Sequence, residues 1–241
     1  MDKIAKNWKK LSGIENHWKN SLNPPSPELR TYINHYGEMS EAAYDAYIKA
    51  PQSKNAGNCK YARRNFLNKV GLINGRPWNQ YAITKYLYAT SSVVVPGVFV
   101  ISSSPQAWSM KSNWVGFVAV TTDEGKKVLG RRDIMIVWRG TINPSDSIHD
   151  AEFKLVSAPK VFGPVHKDNP KIHEGWYAIY TTNDPKTRYN KISARDQGSG
   201  QARSGQFSSG VNRCICLLTV MQKLNRVIEN IKDEYRKLIH P

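Results

Sequence analysis

The chain has 241 residues, a mass of 27.3 kDa, a net charge of +16 and a pI near 9.8. That length can bury a sizeable core as one large α/β domain or two small ones, and we read one domain. No segment approaches the roughly 18 to 20 apolar residues of a membrane span, and Cys59, Cys214 and Cys216, in no zinc spacing, point to reduced thiols rather than a disulfide framework.

So basic a protein is drawn to anionic surfaces, whether nucleic acid or acidic lipid headgroups. Its cations come as scattered pairs, Lys9-Lys10, Arg63-Arg64, Lys126-Lys127, Arg131-Arg132 and Arg236-Lys237, without a tract or a nucleic-acid-binding motif. This pattern predicts a solvated basic surface that favours anionic membrane and no specific nucleic acid. The opening MDKIAKNWKK has no apolar run long enough for a signal peptide, so a cytoplasmic location is expected.

Trp8, Leu11, Trp18 and Leu22 recur at helical or near-helical spacing until Pro24-Pro25, which predicts an amphipathic opening segment. Pro27 to Tyr36 reads as a helix with Leu29, Tyr32, Ile33 and Tyr36 on one face, ended by Gly37. A second helix is predicted from near Ser40 to Pro51, with Glu41 in its first turn. Lys60 to Val70 reads as a short basic helix, and Tyr81 to Thr90 leaves helix and strand open. Val93 to Ile101, broken by Pro96-Gly97, reads as an edge strand or a bend. Val115 to Thr121 is a clearer strand, with Trp114 and Phe117 in or beside the core. Asp123-Glu124-Gly125 is a turn signal across which antiparallel pairing is expected.

The stretch from Asp133 to Asp150 carries the functional expectation. Ile134, Met135, Ile136, Val137 and Trp138 are consecutive apolar residues, too few for a globular helix and suited to a central strand covered on both faces. The run stops at Arg139-Gly140-Thr141. Glycine permits a sharp turn and close approach to a ligand, and Thr141 brings an N–H and a hydroxyl to the strand's carboxyl end, where open α/β sheets place ligands. Such donors can hold an oxyanion. Asp146, His149 and Asp150 follow, but three residues within five positions do not converge by spacing alone. His173 is read as a hydrogen-bonded core or helix-start histidine.

Trp138-Arg139-Gly140-Thr141, followed by Asp150, Phe153, the run KIHEGWYAIYTTNDP and then Ser193-Ala194-Arg195-Asp196-Gln197, resembles the plant class 3 lipases of the cytosolic phospholipase A1 type II group. The opening Trp8, Leu11, Ser12 and Gly13 and the segment from Tyr36 to Tyr47 match the same family. The resemblance implies an α/β-hydrolase fold, hydrolysis of the sn-1 acyl ester of phospholipids, and no metal or organic cofactor. It carries over one functional position, Thr141, as the oxyanion-hole residue.

In that family the nucleophile is a serine on a strand-to-helix elbow, G-H-S-L-G, followed by an aspartate and a histidine. The 241 residues contain no G-x-S-x-G; Ser199, Ser204, Ser208 and Ser209 each lack a required glycine. The expected fold is therefore an incomplete α/β-hydrolase: N-terminal helices, a mostly antiparallel or mixed central sheet, and a missing C-terminal part. Residues 1–197 are read as the N-terminal part of the lipase domain. Residues 198–219 (GSGQARSGQFSSGVNRCICLLT) are read as an unmatched Gly/Ser-rich, disordered insertion, and 220–241 as an amphipathic helix with Val220, Leu224, Val227, Ile228, Ile231 and Tyr235 on one face. An insertion and early stop of this kind suggest a retained intron or a faulty gene model. The chain itself is expected to be inactive, leaving as alternatives a lipid-surface or partner-binding remnant, or an unstable product.

Overall fold

Ser26 opens the longest helix: its hydroxyl accepts from the Leu29 N–H at 3.2 Å, with Pro27 in the first helical position, where its missing N–H is not needed. The computed structural model describes residues 6–72, 80–92, 112–139, 154–162, 171–203 and 214–216. A short helix, α1 (Trp8–Leu11), precedes this long α2 (Pro27–Asp45). The sequence predicted a stop at Gly37 and a new start near Ser40; the helix instead runs through both. An interior glycine costs a helix about 0.5–1 kcal/mol, while Leu29, Tyr32, Tyr36, Met39 and Ala43 form one uninterrupted buried stripe on both sides of Gly37. Burial of that stripe outweighs the local preference.

A single 3-10 turn (Arg63–Asn65) and α3 (Phe66–Lys69) stand where a short basic helix was expected. Tyr81–Ala89, left open by its pattern, is strand β1; it pairs antiparallel with β2 (Asn113–Thr121). The register shift between Ile83 and Lys85 puts an extra residue, Thr84, in β1 and explains why its pattern is ambiguous; the second, between Leu87 and Tyr88, puts its extra residue, Val115, in β2. A β-bulge flips the alternation of faces, so no single period describes the strand. Tyr81 and Ile83 face the same core as Tyr86 and Tyr88, although their parity differs.

Between β2 and β3 (Ile134–Trp138), the Asp123-Glu124-Gly125 signal proves to be a helix start and not a turn. In α4 (Asp123–Leu129), Thr122 accepts from the Gly125 N–H at 3.0 Å, and two acidic residues lie against the positive end of the helix dipole. Gly130, at φ +67°, closes it in the left-handed conformation. The antiparallel pairing across this segment is as expected, from Gly116 opposite Trp138 to Val120 opposite Ile134.

The main sheet has the order β1-β2-β3-β6, where β6 (Cys214–Cys216) pairs parallel with β3. Strand β3 is central and covered on both faces. Met135 and Val137 join Tyr36, Met39, Trp114 and Phe117 under α2. Ile134, Ile136 and Trp138 join Leu87, Val118 and, from the opposite layer, Ile179 and Ala194. Those last two belong to α6 (Glu174–Thr181) and α7 (Ala194–Arg203). The arrangement is helix, sheet, helix: a mixed α/β fold. A separate two-stranded ribbon joins β4 (Leu155–Ser157) to β5 (Lys171–His173), with the short α5 (Pro159–Phe162) after β4.

Helix α7 crosses the Gln197–Gly198 boundary drawn from the sequence, so 198–203 is helical backbone and 214–216 is strand within a stretch where no element was expected. Its anchor is the buried Gln197. The side-chain amide donates to the carbonyls of Tyr88, Tyr189 and Ile192 and accepts from the Tyr88 N–H at 3.0 Å. Among the described residues, this amide and that of Asn190, which donates to the Tyr88 carbonyl at 2.7 Å, take the place of a neighbouring strand beside Tyr88. The predicted segments 93–101, 145–150 and 220–241 lie outside the described residues. No described helix is long and apolar enough to cross a membrane.

Arg131 was grouped with Arg132 as surface charge; the structure buries it. Its Nε lies 2.7 Å from Asp133 Oδ1, and its Nη2 donates to Asp133 Oδ2 at 3.2 Å and to the Tyr36 hydroxyl at 3.1 Å. Tyr36 and Tyr81 donate to Asp133 Oδ2 at 2.9 and 3.0 Å. Because the Tyr81 proton is used there, His35 Nε2, 3.1 Å from the same hydroxyl, must be the donor in a neutral ring. Burial, aided by the charge of Arg131, lowers the His35 pKa from 6.5 to about 3.

A base with a depressed native pKa takes up its proton only in the unfolded chain between those two values. Stability is therefore expected to fall as pH drops below 6.5, by up to about 1.4 kcal/mol per pH unit from this residue. Urea denaturation from pH 7 to 5 checks this. His35→Gln should have the shallower pH dependence, and parallel curves would refute a neutral buried histidine.

Candidate functional site

The carboxyl end of β3 is where chemistry was expected, and its last described residue is held on every side. The Arg139 N–H donates to the Val115 carbonyl at 2.7 Å, extending the β2 ladder by one residue. Its guanidinium is buried, 4.0 Å above the Tyr47 ring, with Nε 3.4 Å from the Trp114 carbonyl. Burial lowers the Arg139 pKa, and the neighbouring tyrosines Tyr47 and Tyr44 oppose that shift. Tyr47 in turn donates to Asn113 Oδ1 at 2.6 Å, and burial pushes its phenol up to about 12. A planar cation stacked on a ring and facing a carbonyl is suited to arginine rather than lysine.

Trp138 leaves the opposite face of the strand and meets Tyr180 of α6 edge to face, centroids 5.7 Å apart. The two side chains before Gly140 are thus clamped from both layers, Arg139 by Tyr47, two residues past the end of α2, and by Trp114 of β2, and Trp138 by α6. Gly140 and Thr141 themselves, and with them Asp146, His149, Asp150 and Phe153, lie outside the described residues.

His173 is the helix-start histidine that was expected. It caps α6, its Nδ1 accepting from the Trp176 N–H at 3.4 Å, while Glu174 meets Lys154 at 3.2 Å. His35 is committed to Tyr81 in the network at the other end of β3. Cys59 is a free thiol against the Tyr86 hydroxyl, with its pKa raised by burial.

Arg139 lies within the motif Trp138-Arg139-Gly140-Thr141, and the motif alone assigns it no task. The stack on Tyr47 joins residues 92 positions apart, and neither spacing nor pattern carries such a contact. The same holds for Gln197 and for the Asp133 network. A signal was available only in retrospect: Arg139, Arg131 and Asp133 directly flank the most apolar strand, where a charge must find partners.

No family model matches the chain. Similarity to curated proteins is extensive. Over 195 residues, 80% of this chain and 49% of the relative, it is 46% identical to phospholipase A1-II 1 of Oryza sativa subsp. indica. It is 42% identical to phospholipase A1-IIgamma of Arabidopsis thaliana over 232 residues, 96% of this chain and 50% of the relative. With phospholipase A1-IIalpha of Arabidopsis thaliana it shares 45% over 203 residues, 83% of this chain and 47% of the relative. The chain belongs to the plant phospholipase A1-II family. It spans about half the length of the curated relatives it matches.

Proposed function

We propose that this chain forms the N-terminal part of an α/β-hydrolase that cleaves the sn-1 acyl ester of phospholipids in the cytoplasm, and that it supplies the oxyanion hole through Thr141. The observation that carries this reading is the end of β3: a buried Arg139 stacked on Tyr47, immediately before Gly140-Thr141, in a chain similar to proteins named phospholipase A1-II. A developing acyl oxyanion needs donors fixed before the reaction. The backbone is anchored at Arg139, the residue that precedes Gly140-Thr141 in the sequence.

The remaining chemistry of a serine hydrolase needs a nucleophile on an elbow, a histidine to take its proton, and a carboxylate to orient that histidine. The 241 residues contain no G-x-S-x-G. We therefore propose that this polypeptide by itself does not turn over ester, and that it binds lipid surface without cleaving it. Peripheral contact with anionic membrane fits the net charge of +16.

The test is release of sn-1 fatty acid from a defined phospholipid by two purified proteins: the 241-residue chain and a version extended through a G-H-S-L-G segment and its aspartate and histidine. Hydrolysis is expected from the extended protein alone, with labelling by a serine-directed phosphonate. There, Thr141→Ala should lower kcat by up to about 100- to 1,000-fold, the effect of losing one oxyanion donor. Turnover by the short chain would overturn the assignment of the nucleophile, and an unchanged Thr141→Ala would overturn that of the hole.

A further inference from the structure

Four large apolar side chains are partly exposed on neighbouring elements: Leu155, Val161, Phe162 and Trp176 are 62, 40, 42 and 36% exposed. They belong to β4, the α5 turn after it, and the first turn of α6. Pairing of β4 with β5 sets Leu155 opposite His173 and Ser157 opposite Lys171. Lys171 Nζ donates to Ser157 Oγ at 2.8 Å, so these side chains share the outer face of the ribbon. The Lys160 N–H donates to the Tyr177 hydroxyl at 3.2 Å, which holds α5 against α6.

Exposed apolar groups gathered in this way, interleaved with cations, mark a surface that meets something both apolar and anionic. Lys160 and Lys171 are exposed within the same unit. A peptide partner would have to place acidic side chains beside its apolar ones; a lipid interface offers both at every point, because acyl chains lie directly beneath the phosphates. We propose that β4, α5 and the start of α6 dock on an anionic phospholipid bilayer, with Leu155, Val161, Phe162 and Trp176 entering the interface and Lys160 and Lys171 meeting headgroup phosphates. The inference rests on the proposed reading that the substrate is a phospholipid. It also deepens that reading: α6 carries Tyr180, which packs on Trp138, so the docking unit is built directly onto the end of β3.

Co-sedimentation of the 241-residue chain with vesicles of phosphatidylglycerol and phosphatidylcholine, and of phosphatidylcholine alone, tests this at low and high salt. The chain is expected to bind the anionic vesicles, more weakly at high salt. Leu155→Ser with Phe162→Ser should lower the partition coefficient at least tenfold. Lys160→Glu with Lys171→Glu should lower it to a similar extent and flatten the salt dependence. Ile14→Ser with Val128→Ser, at exposed apolar residues elsewhere, should change it less than twofold, with circular dichroism melts confirming that each variant folds. Undiminished binding by both patch variants, equal loss in the Ile14/Val128 variant, or no binding by the parent chain overturns the proposal. So does self-association that is lost with Leu155 and Phe162 while vesicle binding persists, since the face would then cover a second copy. Hydrolysis of a monomeric short-chain phospholipid by the extended protein is read separately, so the surface and the enzymatic reading fail independently.

Discussion

Asp133→Ala is expected to lower the free energy of unfolding by about 3–5 kcal/mol, the cost of removing one member of a buried ion pair. The carboxylate accepts from the Arg131 guanidinium on both oxygens and from the Tyr36 and Tyr81 hydroxyls on one. Its loss leaves a buried cation uncompensated and two phenols without their acceptor, in a site 2% exposed. Replacing both partners, Arg131→Met with Asp133→Leu, should cost less than Asp133→Ala alone, because no orphaned charge remains. The exposed pair between Arg132 and Asp123 is the control: Asp123 is 80% exposed, and Asp123→Ala should shift the urea midpoint far less than Asp133→Ala. Urea denaturation followed by circular dichroism measures all three. Equal midpoints for Asp133→Ala and Asp123→Ala would show that the network contributes nothing that surface charge does not.

The second large effect is expected at Gly116, in β2. A Cβ there would stand 1.9 Å from the Val137 carbonyl oxygen, and φ is +155°, a conformation that side chains rarely adopt. Strained backbone of this kind costs about 1–3 kcal/mol and forced overpacking about as much again, so Gly116→Ala should destabilise by several kcal/mol. The obstruction is backbone in the adjacent central strand, which cannot rotate away as a side chain would. The displacement would fall on Val137 and Trp138, and so on Arg139, whose N–H bonds to Val115 beside Gly116. Gly37→Ala gives the contrast: the position is helical, with nothing within 4 Å of an added Cβ, and stabilisation of about 0.5–1 kcal/mol is expected. Thermal melts of the two variants should move in opposite directions. A Gly116→Ala protein that melts with the parent would mean that the close approach of β2 and β3 is not required.

What could be read from the chain alone was whatever depends on neighbours in sequence. Five apolar residues from Ile134 to Trp138 require cover on both faces, and β3 is the inner strand with Tyr36, Met39 and Phe117 on one side and Ile179 and Ala194 on the other. His173 before an apolar run reads as a helix start, because a ring nitrogen can accept from an orphan N–H. The family, too, was legible, since its motifs are contiguous. Tertiary structure decided the rest. Gly37 stays helical because a buried stripe runs past it, β1 hides its period because a bulge at Thr84 reverses its faces, and Asp123 begins a helix because Thr122 caps it. Arg131 lies inside because Tyr36 and Tyr81 arrive from elements far away in the chain. At the candidate site the division is the same: the sequence named Thr141, whereas the anchoring of Arg139 on Tyr47 depends on where α2 crosses the sheet. Backbone preferences and amphipathic periods act within a few residues, but the partner of a buried charge is chosen by the packing of the whole core.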